Sequence, residues 1–72
     1  SAPDLDRLKN FARFWELLVN RGAFKDCIDR IFPPEAPVFA PFMELSDRFL
    51  ARFGRNWGLD RRDLRAALSE YT

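Results

Sequence analysis

Side chains able to do covalent chemistry are sparse in this sequence. It holds one thiol, Cys27, and no histidine. A thiol acts as a nucleophile once a neighbouring group takes its proton. Without imidazole, Cys-His and Ser-His-Asp catalysis are excluded, and so is histidine acid/base work. One thiol also cannot close an intrachain disulfide, nor fill the four positions of a structural zinc or an iron–sulfur cluster. The acids Asp26, Asp29, Glu35, Glu44 and Asp47 are the other candidates for proton transfer. They alternate with Arg30, Arg48 and Arg52, as solvated helix faces do. Asp26/Arg30, Asp47/Arg48 and Glu44/Arg48 are adjacent or one turn apart, which predicts surface ion pairs. Cys27 falls on an apolar face, where a lone cysteine reads as a buried structural residue.

Three further groups could recognise a partner. Arg61, Arg62 and Arg65 follow a tight turn, as the basic residues of a helix-turn-helix recognition helix do. Asp60 and Asp63 share their first turn, however, and the net charge is only +1, far from a nucleic-acid footprint. Nucleic acid is therefore the alternative partner and not the favoured one. Trp57 lies between Gly54 and Gly58. It either stacks on a partner or plugs the open end of the fold, and the area of an indole favours plugging. Asn20 and Arg21 precede Gly22, and their plain role is to end a helix.

The elements that must position these residues are helices. The chain has 72 residues, enough for one domain, which buries roughly 60% of its unfolded surface. Its hydrophobic fraction is 47%, with eight Phe, two Trp and one Tyr, a composition that suits a small packed core. Val19, Ile28, Ile31, Val38 and Thr72 are its β-branched residues, too few for a sheet. No apolar run approaches the roughly 20 residues of a membrane span. No signal-peptide pattern opens the sequence, and the lone cysteine fits a reducing compartment.

Ser1-Ala2-Pro3-Asp4 reads as a helix start, with Pro and an acid in the first turn. Leu5, Leu8, Ala12, Trp15 and Val19 then recur at three and four residues, widened by Phe11 and Leu18. This predicts an amphipathic helix of about four turns, closed by Asn20-Arg21 and capped by Gly22. Phe14 and Leu17 lie off the stripe. A shorter helix is expected from Phe24 to Ile31 or Phe32, with Phe24, Cys27, Ile28 and Ile31 inward, stopped by Pro33-Pro34. Residues 33–38 form a stiff connector. A third helix runs from about Ala40 to Phe53, with Phe42, Met43, Ser46, Phe49, Leu50 and Phe53 as its stripe and Gly54 as its cap. Leu45 is left off that stripe. The fourth starts at Asp60 as N-cap, with Asp63 at N3 and Leu59 and Leu64 as a hydrophobic staple. Its inward residues are Leu64, Ala67, Leu68 and Tyr71. The expected fold is an all-α domain of four helices, orthogonal or bundle-like, spanning residues 1–72.

The stretch from Phe11 to Phe24 resembles a segment downstream of the catalytic core in cobalamin-binding radical S-adenosylmethionine proteins. Those Fe–S oxidoreductases carry a helical C-terminal domain. Its pattern is an aromatic-rich helix, then Asn-x-Gly-x-Phe, then a helix opened by Pro-Phe and ending near a glycine. Asn20, Gly22 and Phe24 match the first motif. Pro41, Phe42, Ser46, Asp47 and Phe49 to Gly54 match the second, and Leu59 to Leu68 would be the closing helix. Arg21 stands where a small residue is usual. The resemblance covers about residues 8 to 68. It implies a C-terminal domain cut from a larger cytoplasmic enzyme that uses an Fe–S cluster, S-adenosylmethionine and cobalamin. None of the ligands for those cofactors lies in these residues. The chain itself would then be a non-catalytic accessory or scaffold domain whose partners are the catalytic domains of its parent, with no membrane contact. Phe14, Asn20, Arg21, Gly22 and Trp57 are its candidate interface, with off-stripe Leu17 and Leu45 adding apolar surface. The alternative is an independent binding module for DNA or protein, using Arg61, Arg62 and Arg65.

Overall fold

The computed structural model describes residues 2–71, with the side chains of 3–71. Ser1, at the expected helix start, lies outside the described residues. Helix α1 spans Ala2–Trp15 and continues as a π-helical turn over Glu16–Asn20. Helix α2 spans Lys25–Ile31, α3 Phe39–Phe53 and α4 Arg61–Tyr71. The described residues contain no strand, so the fold is all-α as expected. Helix α1 packs on α3, and α2 packs on both α4 and the π turn. The Cα radius of gyration is 11.7 Å, close to the ~11 Å of a compact chain of this length.

The helix ends follow local chemistry. Gly22 and Gly54 sit at φ +77° and +72°, the left-handed conformation that a residue with a Cβ resists. The Gly54 N–H donates to the Leu50 carbonyl at 2.8 Å, satisfying one of the carbonyls left free at the end of α3. Asp60 caps α4: its Oδ1 accepts the Arg62 N–H at 2.7 Å. Leu64 behind it is buried, and Leu59 packs against the core. Val38 offers α3 no side-chain cap, and the helix opens at Phe39, one residue before the expected start.

The core joins Phe14, Leu18, Phe24, Cys27, Phe42, Leu45, Phe49, Leu64, Ala67 and Leu68. Aromatic rings meet edge-on within it, Phe14 against Phe49 at 5.6 Å and Trp15 against Phe42 at 4.9 Å. This corrects the face of α1. Leu5 and Leu8 head the expected stripe, yet they are 52% and 47% exposed. Phe14, off that stripe, is fully buried together with Leu18 from the stripe's edge, beside buried Asn10. The polar Asn10 disguises that face in the sequence, and hydrogen bonds to its amide make it buriable. In α3 the same shift brings Leu45 inside and leaves Leu50 at the surface. Residue Leu45, like Phe14, is therefore spent on the chain's own core.

The π turn is the one backbone feature the periodicity does not suggest. The Arg21 N–H reaches back five residues to the Glu16 carbonyl, at 3.3 Å. The wider turn holds an extra residue and re-aims the side chains after it. Val19 then lines a cleft with Ile28, while Asn20 comes beside Ala12 and Trp15.

Candidate functional site

A buried polar chain ties α1, α3 and the 54–60 loop together. The Asn10 Nδ2 donates to the Ser46 carbonyl at 2.9 Å, and the Asn56 Nδ2 donates to Asn10 Oδ1 at 2.8 Å. Arg13 Nε donates to the Asn56 carbonyl at 2.8 Å. Ser46 Oγ completes the set by donating to the Phe42 carbonyl at 2.8 Å. A short loop gains rigidity from such anchors, because its backbone groups would otherwise exchange freely with water.

That loop carries Trp57. The indole does not plug the fold: it is 64% exposed, the highest figure among the chain's exposed large hydrophobic residues. The reason is the loop anchor, which points Asn56 inward and its neighbour out. The Arg55 guanidinium lies 5.3 Å from the indole centroid, in cation–π range, and also donates to the Gly58 carbonyl at 3.3 Å. Trp57 and Arg55 therefore form a stacked pair on a fixed loop. Sequence reasoning identified Trp57 but missed the anchoring residues Asn10, Arg13 and Asn56. An asparagine on an otherwise apolar helix face was the available signal.

The other candidates separate. Phe14 lies wholly in the core and offers no interface. Asn20, Arg21 and Gly22 are exposed on one turn, where Asn20 Nδ2 donates to Glu16 Oε2 at 3.0 Å and Arg21 pairs with Glu16 at 3.6 Å. The Trp57 loop is anchored at Asn10 and Arg13, about two to three helical turns earlier along the chain. The structure thus does not merge the two groups into one contiguous set.

The arginines of α4 divide as well. Arg65 bridges α4 to α2: its Nη1 lies 3.1 Å from Asp26 Oδ2, its Nη2 donates to the Ala23 carbonyl at 3.0 Å, and it stacks 5.2 Å over Phe24. All three arginines are exposed and line one small cavity with Ala23 and Phe24, but the Arg65 guanidinium is committed to these contacts within the fold. Burial works to raise the Asp26 pKa, but the Arg65 hydrogen bond and the Cys27 backbone N–H outweigh it and hold the carboxyl below its ordinary value. Asp26 thus pairs with Arg65, whereas Arg30 reaches only its backbone carbonyl. Asp47 likewise pairs with Arg7 of α1, at 2.8 Å, in place of adjacent Arg48. Asp47 and Arg48 are adjacent, so their side chains point to different faces. Asp26 and Arg30 share a face, and there Arg65, held also by the Ala23 carbonyl, takes the carboxylate. Glu44–Arg48 forms as expected, at 2.7 Å.

Cys27 is buried, with Arg65 Nη1 at 3.6 Å from its sulfur. A thiol so enclosed has no route to a substrate, which fits the structural role expected of it. No helix among the described residues is long and apolar enough to cross a membrane. No protein-family model, curated protein or solved structure matches this chain.

Proposed function

We propose that this chain is a non-catalytic accessory or scaffold domain that packs on the catalytic barrel of a larger cytoplasmic enzyme. The resemblance of Asn20, Gly22, Phe24 and the Pro41 to Gly54 segment points to a cobalamin-dependent radical S-adenosylmethionine Fe–S oxidoreductase or methyltransferase. On this reading the cluster, S-adenosylmethionine and cobalamin are held by the rest of the parent chain, and this domain supplies contact surface. The observation that carries the docking role is the exposed Trp57, stacked with Arg55 on an anchored loop. Trp and Arg are the residue types most enriched where binding energy concentrates. A rigid loop lowers the ordering cost of using them.

The test mixes the domain with the parent barrel, or fuses the two, and follows amide hydrogen exchange. Protection is expected to rise over residues 54–58. Trp57→Ala is expected to weaken docking by about 2 kcal/mol or more, the loss typical of a central aromatic anchor. Unchanged protection there, together with unchanged affinity in the variant, would overturn the reading.

A further inference from the structure

We infer that the exposed apolar face of α1 is a self-complementary interface, occupied by a second copy of this chain running antiparallel. The inference does not depend on the parent enzyme proposed above. It concerns a different surface: Leu8 lies about 140° around α1 from Arg13, the residue that anchors the Trp57 loop, at 100° per residue.

Leu5, Leu8, Ala12 and Trp15 recur at three and four residues, the spacing of a coiled-coil seam. Helix α3 takes the neighbouring face, through Phe14 and Phe11, and reaches the end of this seam, where Phe42 packs on Trp15 at 4.9 Å; the rest of the seam stays open. Leu5, Leu8 and Ala12 are exposed. Phe39, 58% exposed and 5.1 Å from Phe11, borders the same groove, a cavity of about 450 Å³ lined also by Trp15, Val38 and Asn20. A helix with two apolar faces, one of them uncovered, needs an occupant.

Charge and symmetry name that occupant. Leu8 and Trp15 lie four residues before and three after Ala12. Lys9 and Glu16 lie three before and four after. Reversing the helix about Ala12 therefore exchanges each residue with its counterpart to within one residue, about 1.5 Å. With a two-fold axis at Ala12, Leu8 meets Trp15 of the second copy, and Lys9 meets Glu16 of the second copy, each contact made twice. Ala12 at the axis lets the helices approach closely. Lys9 is exposed, and Glu16, which accepts from Asn20 and lies 3.6 Å from Arg21 at the edge of the seam, keeps 47% of its side chain open to a second partner. A parallel pair would set Glu16 against the flank of Phe11 and Leu18, which carry no charge. Complementary flanking charges select orientation in this way.

The test is sedimentation equilibrium of the whole chain over a concentration series, with circular dichroism as the check on folding. A dimer is expected. Leu8→Glu should give a monomer of unchanged helix content, because Leu8 contributes little to the core. Lys9→Glu alone and Glu16→Lys alone should each weaken the dimer about tenfold, since each sets like charges together twice. The double exchange should return affinity to within about threefold of the original. In a second measurement, Ala12→Cys should oxidise to a covalent dimer, since the axis brings the two copies of residue 12 together while Cys27 stays buried. A chain that remains monomeric up to about 1 mM would overturn the inference. So would a dimer that Leu8→Glu leaves intact, or a double exchange that restores nothing.

Discussion

Replacing Asn10 by Ala tests whether the buried polar chain holds this domain together. Asn10 is 3% exposed and makes two side-chain hydrogen bonds, to the Ser46 carbonyl at 2.9 Å and from Asn56 at 2.8 Å. Truncation leaves an acceptor without that donor in the α1–α3 contact, which costs about 1–3 kcal/mol. The Asn56 amide is only partly buried and turns to water at smaller cost. The lost side-chain atoms leave a small void, and the total comes to about 2–4 kcal/mol. A domain of this length is stabilised by about 4–11 kcal/mol, so the change removes a large part of it. Each kilocalorie lowers the melting temperature by about 4–8 °C in a domain this small. Asn10→Ala should therefore melt roughly 10–25 °C early by far-ultraviolet circular dichroism. Asn56→Ala should cost less, and the double variant should fall short of the sum by about 1 kcal/mol, since both side chains share one bond. A loss below about 0.5 kcal/mol for Asn10→Ala, or strict additivity of the pair, would refute the argument.

Other consequences follow from the same geometry. Phe14→Ala removes a fully buried ring and should cost about 3–5 kcal/mol in urea titration, whereas Leu5→Ala, on the exposed seam, should stay within about 0.5 kcal/mol for the monomer. Gly54→Ala meets no atom within 4 Å, so its cost is purely that of the left-handed backbone, about 1 kcal/mol in thermal melts. Asp26, with its pKa lowered in the fold, contributes stability present above the ordinary carboxylate pKa of about 4 and lost as pH falls through the lower folded value. Asp26→Asn should accordingly flatten the fall of melting temperature below about pH 4, as should Arg65→Met, which removes its partner.

The sequence was legible wherever a local rule acted alone. Gly22, Gly54 and the Asp60 cap end or begin helices where expected, because backbone φ and short-range hydrogen bonds decide them. Cys27 is buried as its apolar face predicts. The candidate site was only half legible. Trp57 stood out by residue type, but its direction depends on Asn56 reaching Asn10 across 46 residues of chain. No spacing rule carries that information. The arginines of α4 looked equivalent until the fold paired Arg65 with Asp26 and stacked it over Phe24.

Helix content, helix ends and the absence of histidine chemistry belong to the sequence by itself. They follow from residue types and from interactions within one or two turns. Which face of α1 is core belongs to the tertiary structure. Two apolar stripes share that helix, and periodicity ranks Leu5-Leu8-Ala12-Trp15 first. The choice fell to Phe14, with Leu18 from the edge of the stripe, because α3 supplies Phe49 as a ring partner for Phe14 and Ser46 as an acceptor for Asn10. Burial is a property of two surfaces together, and a single helix in the sequence shows only one of them.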